Sequence, residues 1–189
     1  EIQVANGNES FEVKDGVLVD RKNGVAVVCC VNATSVSLPE GVREIGEHCF
    51  AYCQSLSAIW FLSSLQAIGK EAFLFCRQLK ALDFSNTSLS QVGKNAFGGC
   101  VNLAGVKFPA SLEDVGKNAF YWCNALRSVT YEGDAPSSEE EIYMTSNDDL
   151  ATPRLLPDAQ RKEMPLSQVV SYVPSDSTGW GEIPGSWQG

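Results

Sequence analysis

The apolar positions of this chain fall into one phrase that recurs four times between residues 45 and 131. A β-branched residue and a glycine open it: Ile45-Gly46, Ile68-Gly69, Val92-Gly93 and Val115-Gly116. Five residues after each β-branched position stands an aromatic in the pattern Phe-x-x-Cys, pairing Phe50 with Cys53, Phe73 with Cys76, Phe97 with Cys100 and Phe120 with Cys123. A leucine follows three further on (Leu56, Leu79, Leu103, Leu126), then Ile59, Leu82, Val106 or Val129, then Phe61, Phe84, Phe108 or Tyr131 two beyond that. Each unit runs on through Leu65, Leu89 or Leu112 to the next glycine, and a partial earlier unit shows in Val36, Leu38, Val42 and Ile45. The cysteine spacings are 23, 24 and 23.

Each part of the phrase predicts an element. Leu79-Lys80-Ala81-Leu82-Asp83-Phe84 ends in strict alternation, so a short strand buries Leu82 and Phe84 and turns Ala81 and Asp83 outward. The glycine suits a tight bend or a close backbone approach. Phe-x-x-Cys-x-x-Leu places three apolar side chains on one face of a helical turn, which closes the opposite side of the coil. No single unit can bury its apolar face alone; stacking unit on unit creates the core and lines the strands into a parallel sheet. A period of 23 lies within the leucine-rich range and well short of helical-hairpin repeats. The fold expected is an α/β-type repeat solenoid.

The wording resembles a known family. Ile68-Gly69-x-x-Ala72-Phe73-x-x-Cys76-x-x-Leu79, Val92-Gly93-Lys94-Asn95-Ala96-Phe97-Gly98-Gly99-Cys100 and Val115-Gly116-Lys117-Asn118-Ala119-Phe120 look like BspA-type leucine-rich repeats. Gly16-Val17-Leu18-Val19 and Leu38-Pro39-Glu40-Gly41-Val42 are similar to the usual lead-in, and Tyr172-Val173-Pro174 through Trp180-Gly181 to closing segments found behind such repeats. The resemblance implies a secreted or surface-exposed microbial protein, of the kind found in gut and oral bacteria and some parasitic protozoa, that binds other proteins or mediates adhesion. The second function it leaves open is a structural spacer or capping domain of a larger exported protein whose activity lies elsewhere.

Three regions follow: an N-terminal β cap over 1–35, repeats of about four and a half turns over 36–131, and an acidic C-terminal cap with an insertion over 132–189. Asp15-Gly16 and Lys22-Asn23-Gly24 are hairpin turn signals between the apolar runs of the N-terminal cap. The C-terminal region holds the acidic run Glu139-Glu140-Glu141, a possible short helix at Asp158–Met164, and the apolar anchors Trp180, Ile183 and Trp187.

Charge narrows the partners. The chain carries a net charge of -9, but the repeats hold eight basic and seven acidic residues while 132–189 holds three basic and eleven acidic. With no basic patch, nucleic acid is not expected as a partner. No stretch of about 18 apolar residues exists, so membrane insertion is not expected. The start Glu1-Ile2-Gln3-Val4 has no signal-peptide pattern and no Met, which reads as a trimmed terminus and leaves the compartment open. Sequons at Asn8, Asn32 and Asn86 bear on the chemistry only in a eukaryotic secretory route.

Candidate chemistry is sparse. Cys53, Cys76, Cys100 and Cys123 form a ladder whose side chains point in parallel, whereas a disulfide needs converging Cβ vectors, so free buried thiols are expected. His48-Cys49-x-x-x-Cys53 holds the single histidine, but Cys49 aligns with Ala72, Ala96 and Ala119 as a core filler, so no metal is expected there. Cys29-Cys30 reads as one thiol inward and one outward. No nucleophile elbow, Walker loop or dinucleotide fingerprint occurs, so neither a cofactor nor catalysis is expected. The outward strand positions carry the functional expectation: small residues beside Trp60, Asp83, Lys107 and Thr130 make a flat strip with one aromatic and two opposite charges, and exposed Trp is enriched at binding hot spots. The bland alternatives are that Trp60 lies against the cap or a neighbour and that Asp83 and Lys107 pair across strands.

Overall fold

The structure, a computed structural model, describes residues 2–134, 136–138 and the strand at 170–172. The acidic run at 139–141, the helix expected at Asp158–Met164 and the anchors Trp180, Ile183 and Trp187 lie outside the described residues. The chain winds into stacked coils, each contributing one strand to each of two faces. The first face holds β4 (Ser35–Ser37), β6 (Ala58–Trp60), β8 (Ala81–Asp83), β10 (Gly105–Phe108) and β12 (Ser128–Tyr131). The second holds the two-residue strands β5 (Glu44–Ile45), β7 (Ala67–Ile68), β9 (Gln91–Val92) and β11 (Asp114–Val115). All ladders among them are parallel, and register joins equivalent residues: Ile45 to Ile68 to Val92 to Val115, and Leu82 to Val106 to Val129. Two further strands continue the faces, β13 (Ser137–Ser138) beside β11 and β14 (Val170–Tyr172) beside β12.

At the N-terminal end β1 (Phe11–Lys14), β2 (Val17–Asp20) and β3 (Val25–Cys29) form an antiparallel meander. Asp15 and Gly16 both have positive φ, 49° and 78°, as a two-residue type I′ hairpin requires. At the second turn Asp20 accepts the backbone N–H groups of Lys22 and Asn23. The last arm, β3, runs parallel to β5 and sets Ala26 against Ile45, so the meander joins the eight-stranded second face directly.

The expected helical turn is absent: among the described residues there is no helix, and the α of the expected α/β class is corrected to a chain of β-turns. The amide of Cys49 donates to Gly46 O at 3.2 Å with His48 at φ 57°, and that of Cys53 to Phe50 O at 3.0 Å with Tyr52 at φ 61°. A positive φ at the third residue of each is the arrangement of a type II turn. It recurs in two columns, Glu71, Asn95 and Asn118 below His48, and Phe75, Gly99 and Trp122 below Tyr52. A left-handed residue every fourth position cannot continue a right-handed helix. What it gains is visible in the amides of His48, Phe50 and Tyr52, which donate to Lys70, Ala72 and Leu74 of the next coil at 2.7–3.1 Å. The apolar spacing alone does not separate a helical turn from these β-turns, because Phe, Cys and Leu reach the core equally well from overlapping turns. Each bulky left-handed residue costs about 1–3 kcal/mol, offset by bonds between coils that a helix would forgo.

The core repeats the same logic. Phe50, Phe73, Phe97 and Phe120 stack at 5.0, 5.6 and 5.3 Å between ring centroids, and Phe61, Phe84, Phe108 and Tyr131 form a second stack at 4.4, 5.7 and 5.5 Å. The stacks meet edge-on or tilted at 6.1–6.4 Å. Beside them the thiols of Cys76, Cys100 and Cys123 donate to Phe50 O, Phe73 O and Phe97 O at 3.0–3.1 Å, so each cysteine is both an apolar filler and a donor to a buried carbonyl of the preceding coil. Burial pushes all three thiols up from the ordinary range. The glycine column answers to close approach: a Cβ on Gly93 would lie 2.6 Å from Lys70 N and 2.7 Å from the carbonyl carbon of Gly69.

Two outcomes follow. Gly93→Ala has only backbone to displace and destabilises by about 1–3 kcal/mol in chemical denaturation, with an unaltered midpoint overturning the close-approach account. The raised thiol pKa means that the folded state holds protons the unfolded chain releases, so their stabilisation is whole below the ordinary thiol range and is lost as pH rises. Stability therefore falls above about pH 8.5 by about 1.4 kcal/mol per pH unit for each buried thiol. Melting curves stepped through that range check this, and Cys100→Ala must reduce the slope by one thiol's share.

Candidate functional site

The first face departs from the repeat at one place. β4 pairs only with β6, and β8 pairs with β10 and so on to β14, but β6 and β8 belong to separate sheets. Among the described residues no backbone hydrogen bond joins Ala58–Trp60 to Ala81–Asp83, although Ala67–Ile68 pair normally with Gln91–Val92 on the other face of the same coils. The coils therefore stack, and the ladder between them is interrupted on one side only. Among the described residues, the two facing strand edges of β6 and β8 do not pair with each other. Side chains register the fault: Ile59 and Phe61 are only partly buried, where Leu82 and Phe84 one coil on are buried. Coil length changes here too, since Phe84-Ser85-Asn86-Thr87-Ser88-Leu89 carries one residue more than Phe61-Leu62-Ser63-Ser64-Leu65, and Thr87 closes an added turn by donating its amide and its hydroxyl to Phe84 O.

The fault opens into a groove of ≈ 540 Å³ that runs from β6 across β8 and β10 to β12. Trp60, Asp83, Lys107 and Thr130, which the sequence singled out, all line it. Ala81, Gly105 and Ser128 make its floor, and Leu82 and Val106, whose side chains point into the core, contribute backbone. Asn86 and Thr87 of the longer turn form part of its rim. Trp60 is 59% exposed, which removes the alternative that it packs against the cap or a neighbour.

The alternative of a cross-strand ion pair between Asp83 and Lys107 does not describe their hydrogen-bond partners. Lys107 Nζ stands 2.6 Å from Glu132 Oε1, and Asp83 instead accepts the hydroxyl of Ser85 at 2.6 Å and its amide at 2.9 Å. Hydrogen bonding to Ser85 lowers the Asp83 pKa and bonding to Glu132 raises that of Lys107, so both keep their charges at the groove. Asp83 is held by a neighbour two residues along its own coil, whereas Lys107 reaches across to the following coil, where Glu132 succeeds β12.

Elsewhere the chemistry is structural. His48 lies between Glu47 Oε1 at 3.2 Å and Glu71 Oε2 at 3.3 Å, while Cys49 is 2% exposed and faces the core, so the two cannot ligate one ion. Tyr52 and Phe75 pack with rings tilted by 30° at 5.3 Å on the turn face, and Phe75 reaches Trp122 at 6.4 Å across Gly99, whose absent Cβ would meet the Phe75 ring at 2.3 Å. Sequence reasoning placed the groove's residues but missed its cause; the one signal was the 24-residue spacing between Cys76 and Cys100.

Among solved structures the chain is similar to a leucine-rich repeat protein of T. pallidum at 35% identity and TM-score 0.50, over 56% of this chain and 49% of that one. It shares its fold with the pneumococcal vaccine antigen PcpA at 16% identity and TM-score 0.55, over 91% of this chain and 44% of that one. A leucine-rich repeat protein of Eubacterium ventriosum matches at 19% identity and TM-score 0.51, over 68% and 42%. The chain thus spans less than half the length of these solved relatives. No curated protein sequence matches it. The family model for the BspA type leucine rich repeat region matches residues 26–148 in six copies. The chain belongs to the BspA-type leucine-rich repeat proteins.

Proposed function

We propose that this protein is a non-catalytic protein-binding module of a secreted or surface-exposed microbial protein, and that its partner lies in the groove of the first face. Leucine-rich repeat domains generally mediate protein interactions, and the family is generally non-catalytic. The observation that carries the reading is the coincidence of a Trp 59% exposed with an interrupted strand ladder, whereas Phe61, Phe84, Phe108 and Tyr131 at the ends of the strands on that face are buried or half-buried. An exposed indole beside a groove is the side-chain type enriched at the anchoring positions of protein interfaces. The groove offers the chemistry of an extended polypeptide: peptide groups at two strand edges, a floor of small residues that admits close approach, an indole for an apolar side chain, and Asp83 and Lys107 for orientation. In the microbial setting this amounts to recognition of, or adhesion to, a host or neighbouring surface protein.

The test compares Trp60→Ala with the parent protein in pull-downs from extracellular matrix and co-resident microbes, followed by titration of the protein recovered. Loss of the indole weakens binding by about 2 kcal/mol, roughly thirty-fold in Kd, while the melting temperature stays unchanged. Binding that survives Trp60→Ala together with Lys107→Ala removes the groove as the site.

A further inference from the structure

The thiol ladder changes character at its first rung. Cys76, Cys100 and Cys123 each reach the carbonyl of a phenylalanine one coil back, but the column has no aromatic before Phe50 to serve Cys53. Cys53 Sγ stands 3.8 Å from Cys30 O, and Cys29 Sγ stands 3.4 Å from the same oxygen. Two thiols thus converge on one carbonyl. The backbones are clamped beside them by the Cys29 amide, which donates to Cys49 O at 2.8 Å. Within the repeats, equivalent cysteines are translated copies with parallel side chains, the arrangement that forbids a disulfide. Cys29 is not a translated copy of Cys53: it ends β3, outside the Phe-x-x-Cys phrase, and its thiol meets that of Cys53 at a shared carbonyl.

We infer that Cys29 and Cys53 form a disulfide site that locks the N-terminal meander to the first repeat. The oxidant is a small disulfide such as oxidised glutathione. The thiolate of one cysteine attacks a sulfur of that disulfide and expels one small thiol; the second cysteine then attacks the mixed disulfide and expels the other. Two protein thiols are oxidised, one small disulfide is reduced to two thiols, and the protein becomes lighter by two hydrogens. Cys29 is 5% exposed and Cys53 fully buried, so the exchange takes place as the meander docks during folding, and the finished bond is shielded from reductants. Its gain is the entropy removed from the unfolded chain by closing the loop between the two residues. The site is independent of the binding groove, and Trp60→Ala leaves it intact.

The test refolds the full chain in a mixture of reduced and oxidised glutathione, alkylates it under denaturing conditions, and digests it with trypsin. A linked pair of peptides, residues 23–43 with 44–70, is expected, with fragmentation placing the bond between Cys29 and Cys53 and with Cys76, Cys100 and Cys123 recovered as alkylated thiols. Cys29→Ser and Cys53→Ala each lose the linked pair, Cys30→Ser retains it, and reduction of the parent lowers its melting temperature by several degrees. Fragmentation of the parent protein localises the bond even where a variant fails to fold. Recovery of all seven cysteines alkylated, or a bond that maps to Cys30 or Cys49, overturns the assignment.

Discussion

Everything in this structure follows from one constraint: a coil of 23 residues cannot bury its own apolar face, so every side chain must lie on its equivalent one coil away. Translation by about 4.8 Å is close to the thickness of a strand and near the separation of stacked aromatic rings, and it lets strands, phenylalanines, thiols and glycines repeat at once. The glycine column exists because backbones meet there. The left-handed columns exist because alternate amides must turn toward the next coil rather than back along their own. Even the cysteines are chosen by translation, since a thiol is small enough for the column and can donate to the carbonyl that the previous turn leaves buried.

Translation must end, and it can also fail locally. At the N-terminal end the antiparallel meander supplies β3 as a partner for β5, and in doing so brings the Cys29 and Cys53 thiols to one carbonyl. On the first face the ladder breaks between β6 and β8, and the same coils remain stacked through their second face and their phenylalanines. A solenoid tolerates this because each coil is held on three sides. Losing one set of strand bonds leaves two, and the exposed indole and the groove are the result.

The residues of the groove were legible in the sequence because alternation tells which side chains of a strand face outward, and that holds for Trp60, Asp83, Lys107 and Thr130 alike. Their arrangement was not. Asp83 and Lys107 stand opposite one another in the ladder, Asp83↔Lys107 in register, yet Asp83 bonds to Ser85 on its own coil and Lys107 to Glu132 on the coil beyond. Register fixes Cα positions, while side-chain pairing depends on which donor arrives at the shorter distance, and nothing in a linear pattern states that. The turn face was misassigned for a related reason. Phe-x-x-Cys-x-x-Leu fits one side of a helix and fits overlapping type II turns equally, and only the demand for hydrogen bonds between coils separates them.

By itself, then, the sequence determined the period, the inward and outward faces, the identity of the core columns and the family, because all of these are properties of a repeating linear pattern. The tertiary structure decided what happens where the pattern meets something other than its own copy: the missing rungs between β6 and β8, the ion pair of Lys107, the meeting of Cys29 with Cys53, and the turns that replaced a helix. Those depend on distances between residues far apart in the chain, which periodicity constrains only as long as every coil is the translate of the last.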